Sequence, residues 1–270
     1  MAKYIVRQYP NGIVRTTKTR YATVPSKDGS KKYFTKIAEG MMCNNETGEV
    51  VEYSPKSNKS ESLRSVCQSM SNTYDKLLNN IDVKKQKCFF VTLTNSDLCD
   101  FKEFERRLEQ YHNKLNYACK KENTDYIYAF FKEANQDGRY HTHAIIAFGE
   151  GVENPMIGDP FFAQYWRYGC IKTYPIDTDS AFVKVLNYLY NYSSPERNEK
   201  VRRKIEGLKF FPSGSHLVKM TKSLKGIEPE RFDNISKIID GKEKLCESTR
   251  INAEGTFIYS TYIAPETKCA

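Results

Sequence analysis

The sequence predicts an α+β fold, an antiparallel sheet with helices over one face, built in the order β-α-β-β-α-β. Three observations predict it. Between Phe101 and Ala118 the apolar positions (Phe101, Phe104, Leu108, Tyr111, Leu115, Ala118) recur at spacings of 3, 4, 3, 4 and 3, which gathers them on one stripe of a helix. The runs on either side, KCFFVTLT (87–94) and DYIYAFFKE (125–133), are short and rich in β-branched and aromatic residues, as strands are. ANQDGRY (134–140), with turn chemistry at Asp137-Gly138, joins the second run to a third, YHTHAIIAF (140–148), so these two strands neighbour each other.

The remaining elements follow in order. Residues 1–85 read as a β-rich segment and a helix. KKYFTKIAEGMMCNNETGEVVEYS (31–54) has two extended stretches around Asn44, Asn45 and Gly48, which predicts a hairpin. The polar SPKSNKSES (54–62) resembles a linker. Leu63, Val66, Met70, Tyr74, Leu77 and Leu78 then have helical spacing. Within 86–228, DPFFAQYWRYG (159–169) is expected as a short helix and CIKTYPI (170–176) as a strand. DTDSAFVKVLNYLYNY (177–192) opens with residues suited to an N-cap and continues as a helix. This order is the split βαβ, ferredoxin-like arrangement. A charged helix, PERNEKVRRKIEGL (195–208), and a basic loop, FFPSGSHLVKMTKSLKG (210–226), come next, and residues 229–270 are expected as a helix-and-strand extension.

Lys and Arg number 42 against 33 Asp and Glu, a net charge of +9, which suits an anionic partner such as a polyphosphate chain. The eight cysteines form no C-x-x-C pair, which argues against a structural zinc site. No apolar run follows Met1 and no 18 consecutive residues are apolar, so neither a signal peptide nor a membrane span is expected. The thiols are then expected to be reduced, in a cytoplasm.

Two of the four histidines, His141 and His143, alternate on one predicted strand and therefore share a face, where both can grip one metal ion. Two imidazoles and a carboxylate suit Mn²⁺ and related divalent ions, with Mg²⁺ a poorer match. Glu133, near the end of the preceding strand, is the third candidate. A two-residue Asp137-Gly138 turn would set it opposite Thr142, on the wrong face. A three-residue loop, or a bulge at Gly138, shifts the pairing by one and brings it beside the histidines. The longer loop is the expectation. In YLYNY (188–192), at about 100° per helical residue, Tyr188 and Tyr192 share a face and Tyr190 points away. A phenol from that helix can attack a phosphate held at the metal.

Together FVTLT (90–94), the His-Thr-His strand and the tyrosine helix resemble the three motifs of the HUH endonuclease superfamily. Within it the chain is most similar to rolling-circle replication initiators of single-stranded DNA phages and small plasmids, over residues 86–228; the basic SLKG stretch (223–226) fits that group. The central residue of the family's histidine pair is hydrophobic, and here it is Thr142. The resemblance implies metal-dependent, site-specific nicking and rejoining of single-stranded DNA through a 5′-phosphotyrosine. It implies a divalent ion, Mn²⁺ or Mg²⁺, on Glu133, His141 and His143, Tyr188 as nucleophile and Tyr192 as second tyrosine. The family's lysine, three residues after the first tyrosine, is Asn191 here, and Lys184, one turn before Tyr188, is expected to supply that charge. Arg202, Arg203, Lys204, Lys219, Lys222 and Lys225 are candidate contacts to the DNA backbone, and Tyr140 and Trp166 candidate stacking platforms.

The partners implied are single-stranded or origin DNA and, since no P-loop is present, a host helicase and polymerase in the host cytoplasm. A transposase or relaxase of the same superfamily is the neighbouring reading. Relaxases place the tyrosine ahead of the histidine strand, and single-domain transposases of this type are much shorter, so both favour the initiator. A non-catalytic DNA-binding protein with a decayed site is the reading that Asn191 keeps open.

Overall fold

The computed structural model describes residues 4–20, 34–38, 40–54, 56–149, 159–192, 198–252 and 255–265. From the N-terminus, β1 (Tyr4–Gln8) and β2 (Val14–Arg20) pair with each other, and β3 (Phe34–Ala38), β4 (Met41–Asn44) and β5 (Val50–Glu52) form a small sheet. The helix α1 (Leu63–Asn80) leads into β6 (Lys87–Thr94), α2 (Phe101–Lys121), β7 (Tyr126–Ala134), β8 (Tyr140–Phe148), α3 (Asp159–Ala163), β9 (Ile171–Ile176), α4 (Asp179–Tyr190) and α5 (Glu199–Gly207). Four strands follow: β10 (Val218–Met220), β11 (Glu230–Phe232), β12 (Glu243–Asn252) and β13 (Gly255–Ile263). The expected hairpin around Asn44 is the β4–β5 turn, in which Gly48 takes φ 72° and donates its N–H to Asn44 O at 2.8 Å. Pro195–Arg197, the start of the predicted charged helix, lie outside the described residues.

The central sheet has the order β10-β7-β8-β6-β9 and every pair in it is antiparallel. β8 therefore splits the β6-α2-β7 unit, which is the α+β arrangement predicted, with β10 added beyond β7. The helix layer differs from the prediction, because it is not confined to one face. Leu108, Tyr111 and Leu115 of α2 pack with Val91, Leu93, Phe130, Ala144 and Ile146 on one face. Phe182, Leu186 and Leu189 of α4 and Leu77 and Leu78 of α1 pack with Cys88, Ala129, Phe131, Ile145 and Ala147 on the other. The cause is in the strands. CFFV and AIIAF are apolar without alternation, so both of their faces must leave water.

The layer of α1 and α4 is covered in turn by a second five-stranded sheet, of order β11-β1-β2-β13-β12. Asp75 of α1 takes hydrogen bonds from Tyr9 Oη at 2.5 Å and Arg15 Nη1 at 2.7 Å. The Arg15 guanidinium lies over the rings of Tyr74 (4.4 Å) and Tyr190 (5.3 Å). Strands from segments 1–85 and 229–270 thus share one sheet. The helix expected in 229–270 is absent among the described residues. Ile235, Ile238 and Ile239 have helical spacing, but they form short turns (Ile239 N–H to Ile235 O, 3.1 Å) that pack on Val6 and Val14. The β-branched residues of β13 pair with β2, and this pairing claims the segment for the sheet. No disulfide joins the described cysteines, and no described helix is long and apolar enough to cross a membrane.

Candidate active site

The hairpin between β7 and β8 sets the site. Asn135 N–H reaches Arg139 O at 2.9 Å, Gly138 N–H reaches Asn135 O at 3.0 Å, and Gly138 has φ 87°. This is the expected three-residue loop, Gln136–Gly138, closed by a left-handed residue that glycine adopts without steric cost. The register that results pairs Glu133 with His141 and Phe131 with His143, so Glu133 and both imidazoles share a face. On β6, Thr92 stands opposite His143 and Thr94 opposite His141.

His143 stacks on Phe90 with ring centroids 5.3 Å apart and planes 17° from parallel, and its Nδ1 lies 3.0 Å from Thr92 Oγ1. With Nδ1–H given to that hydroxyl, Nε2 keeps its lone pair for the cluster. His141 Nε2 is 3.5 Å and His143 Nε2 3.8 Å from Glu133 Oε2. The three donor atoms all lie within 4.8 Å of one another. Burial pushes the His143 imidazole down to about 4, so it is neutral at physiological pH, as a ligand must be. Burial by itself would raise the Glu133 carboxyl, but Lys204 and the two histidines outweigh it and draw the carboxyl down to about 2. An ionised carboxylate beside two imidazoles fits a divalent cation.

The tyrosines separate. α4 begins at an N-cap, Thr178, whose hydroxyl accepts from Ala181 N–H, and ends at Tyr190, with Asn191 as its C-cap. Tyr188 is 43% exposed and its ring lies 5.5 Å from that of His143, edge to face. Burial, then the charge of Glu133, pushes its phenol up to about 12. Tyr190 points away, as predicted, with its ring 5.3 Å from that of Tyr74. Tyr192 lies past the end of the helix, which stops at Tyr190, and its ring, like that of Tyr188, flanks the Lys204 ammonium. It is buried at 3% exposure within the hydrophobic core. Ser193, Ser194 and Pro195 follow in the sequence, poor continuers of a helix.

A cavity of about 530 Å³ opens beside the cluster, lined among others by Glu133, His141, Tyr188, Lys200, Arg203 and Lys204. Lys184 is exposed on α4, outside this lining. Lys204, expected on the DNA-facing surface, is instead turned inward: its Nζ is 2.7 Å from Glu133 Oε1. Of the other basic candidates Arg203 lines the cavity, while Arg202 is exposed beside Glu206. Lys219 stands opposite Phe130 on the sheet face away from the histidines and pairs with Glu109. Lys222 and Lys225 are exposed beyond β10. Tyr140 and Trp166 are core residues at 5% exposure. Tyr140 stacks on Phe104, and Trp166 Nε1–H donates to Thr94 O at 2.9 Å, so neither ring is free for a base. Lys200 was missed by sequence reasoning. Its signal was present, since it precedes Arg203 and Lys204 by three and four residues and so shares their helix face.

No curated protein and no solved structure matches the chain. Residues 88–197, less than half of the chain but including Glu133, His141, His143 and Tyr188, match the model of a family described as Replication-associated protein ORF2, and in that stretch the chain is similar to replication-associated proteins.

Proposed function

We propose that the chain starts rolling-circle replication by nicking single-stranded DNA through Tyr188 and later rejoining the strand. The observation that carries this is the placing of a half-exposed phenol 5.5 Å, ring to ring, from a ligand histidine, in one cavity with Glu133 and His141. The likeness of residues 88–197 to replication-associated proteins supports it.

A divalent cation, Mn²⁺ or Mg²⁺, held by Glu133, His141 and His143, supplies the polarisation of a phosphate oxygen that makes the phosphorus open to attack. The chain's own residues do the rest. Phe90 and Thr92 hold His143 in one orientation. Lys200 and Arg203, on the cavity wall, bind flanking phosphates and so place the scissile one. Tyr188 Oη forms a bond to phosphorus as the P–O3′ bond breaks. The 3′ oxygen leaves as a hydroxyl and the 5′ phosphate remains on tyrosine, with the phosphodiester energy kept for rejoining. Strand separation and synthesis then fall to a host helicase and polymerase.

The test is incubation with Mn²⁺ and single-stranded oligonucleotides tiling the replicon that encodes the chain. The unaltered protein is expected to form a covalent adduct, seen on a denaturing gel and abolished by EDTA. Tyr188→Phe is expected to form none. Binding without any adduct would reduce the reading to a DNA-binding protein, and an adduct retained by Tyr188→Phe would assign the wrong nucleophile.

A further inference from the structure

Lys204 sits where no local pattern would put it. It reaches from α5 into the metal cluster, and its side chain is 8% exposed. Its ammonium pairs in charge with Glu133 Oε1 at 2.7 Å and donates hydrogen bonds to two further oxygens, Tyr188 O at 2.9 Å and Leu189 O at 3.1 Å. The last two are carbonyls of the final turn of α4, which have no partner within the helix. The same ammonium lies 4.8 Å from the centroid of the Tyr188 ring and 5.1 Å from that of Tyr192. Glu133 thus divides its two oxygens, with Oε1 on the lysine and Oε2 facing the histidines.

We infer that Lys204 is the resident counter-ion of the metal cluster and the tether that fixes Tyr188 above it. The inference rests on the cation reading given above. Before a cation arrives, the ammonium balances a buried carboxylate that would otherwise stand uncompensated. When a cation binds to Oε2, a second positive centre enters beside the ammonium, so Lys204 holds the metal affinity below what the three ligands alone would give. By bonding the last carbonyls of α4, it also ties the tyrosine-bearing turn to the carboxylate. Lys204 acts through Glu133 and α4, and is a positioning residue. It lies outside the segment similar to replication-associated proteins.

The test compares the unaltered protein, Lys204→Met and the double variant Glu133→Gln/Lys204→Met at pH 8. Three quantities are read: the Mn²⁺ dissociation constant from the electron paramagnetic resonance of free Mn²⁺, the thermal midpoint with and without Mn²⁺, and amide exchange at Asn191, whose N–H closes the last turn on Asn187 O. Lys204→Met is expected to melt lower without Mn²⁺, to recover most of that loss with saturating Mn²⁺, and to bind Mn²⁺ about tenfold tighter. Exchange at Asn191 is expected to quicken in both states. An unchanged dissociation constant, with equal melting losses in the two states, would mean that Lys204 only fills space and would overturn the inference. If Lys204→Met does not fold, the double variant, which removes both charges, is expected to fold, and its failure would also overturn it. The cation reading fails separately, and takes this inference with it, if the unaltered protein binds no Mn²⁺.

Discussion

Glu133 carries the heaviest electrostatic demand of any residue in the site. It is buried and ionised, with an ammonium on one side and two imidazoles on the other. The tyrosines around it divide by access to solvent. Tyr188 shares its exposed helix side with Lys184, whereas Tyr192 is enclosed in the core, where burial raises its phenol well above the ordinary range. Charge separation at a buried phenol finds no solvent and no room for a phosphate. Tyr192→Phe is therefore expected to form the covalent DNA adduct while Tyr188→Phe does not. Equal loss in both, on the same denaturing gel, would show that burial is a poor guide to the nucleophile here. Lys184→Ala is expected to slow adduct formation far less than Tyr188→Phe, since its ammonium lies outside the cavity lining.

At the scale of elements, α5 and the β7–β8 hairpin behave as one unit. α5 starts on Asn198, whose side chain accepts from the N–H groups of Lys200 and Val201. It ends at Gly207, which lies so close to the hairpin that a Cβ there would stand 2.2 Å from Ala134 O. Only glycine permits that approach. The docking is what carries Lys204 to Glu133 and lays Lys200 and Arg203 along the cavity. Gly207→Ala must push the helix off the strand. It is expected to cost about 1–3 kcal/mol, the usual range for overpacking, and to slow adduct formation together with the fall in thermal midpoint. A variant that matched the parent in both measurements would show that the backbone can yield there without cost.

Across the whole molecule, the tyrosine helix is fixed from two sides, by the central sheet below and by the second sheet above. The junction with the second sheet is polar. Asp75 is gripped by Tyr9, Arg15 and, at 3.3 Å, Arg7. Arg15, 5% exposed, lies over Tyr190, two residues beyond the proposed nucleophile. Removing one member of a buried pair strands the other. Asp75→Ala is accordingly expected to lower the unfolding free energy by about 3–5 kcal/mol in a urea titration. Glu199→Ala, which breaks the exposed pair with Arg203, is expected to cost less than about 1 kcal/mol. Similar losses for the two would contradict the burial of the Asp75 cluster.

What the sequence alone determined is what short stretches of chain can encode. Alternation along β8 put His141 and His143 on one face and helical periodicity opposed Tyr188 to Tyr190, while the residues around Gly138 left two loop lengths open, of which the longer, the one expected, is found and brings Glu133 beside the histidines. Each depends on residues within a turn or a strand length, where backbone geometry leaves few choices. Only the tertiary structure decided the division of the helices between the two sheet faces, the joining of the chain's early and late strands in one sheet, the burial of Tyr192, and the arrival of Lys204 at Glu133. These depend on which distant surfaces pack together. Composition around Lys204 reads as a basic, solvent-facing helix. What turns that lysine inward is the close seat of Gly207 on Ala134, together with a buried carboxylate that needs a counter-charge.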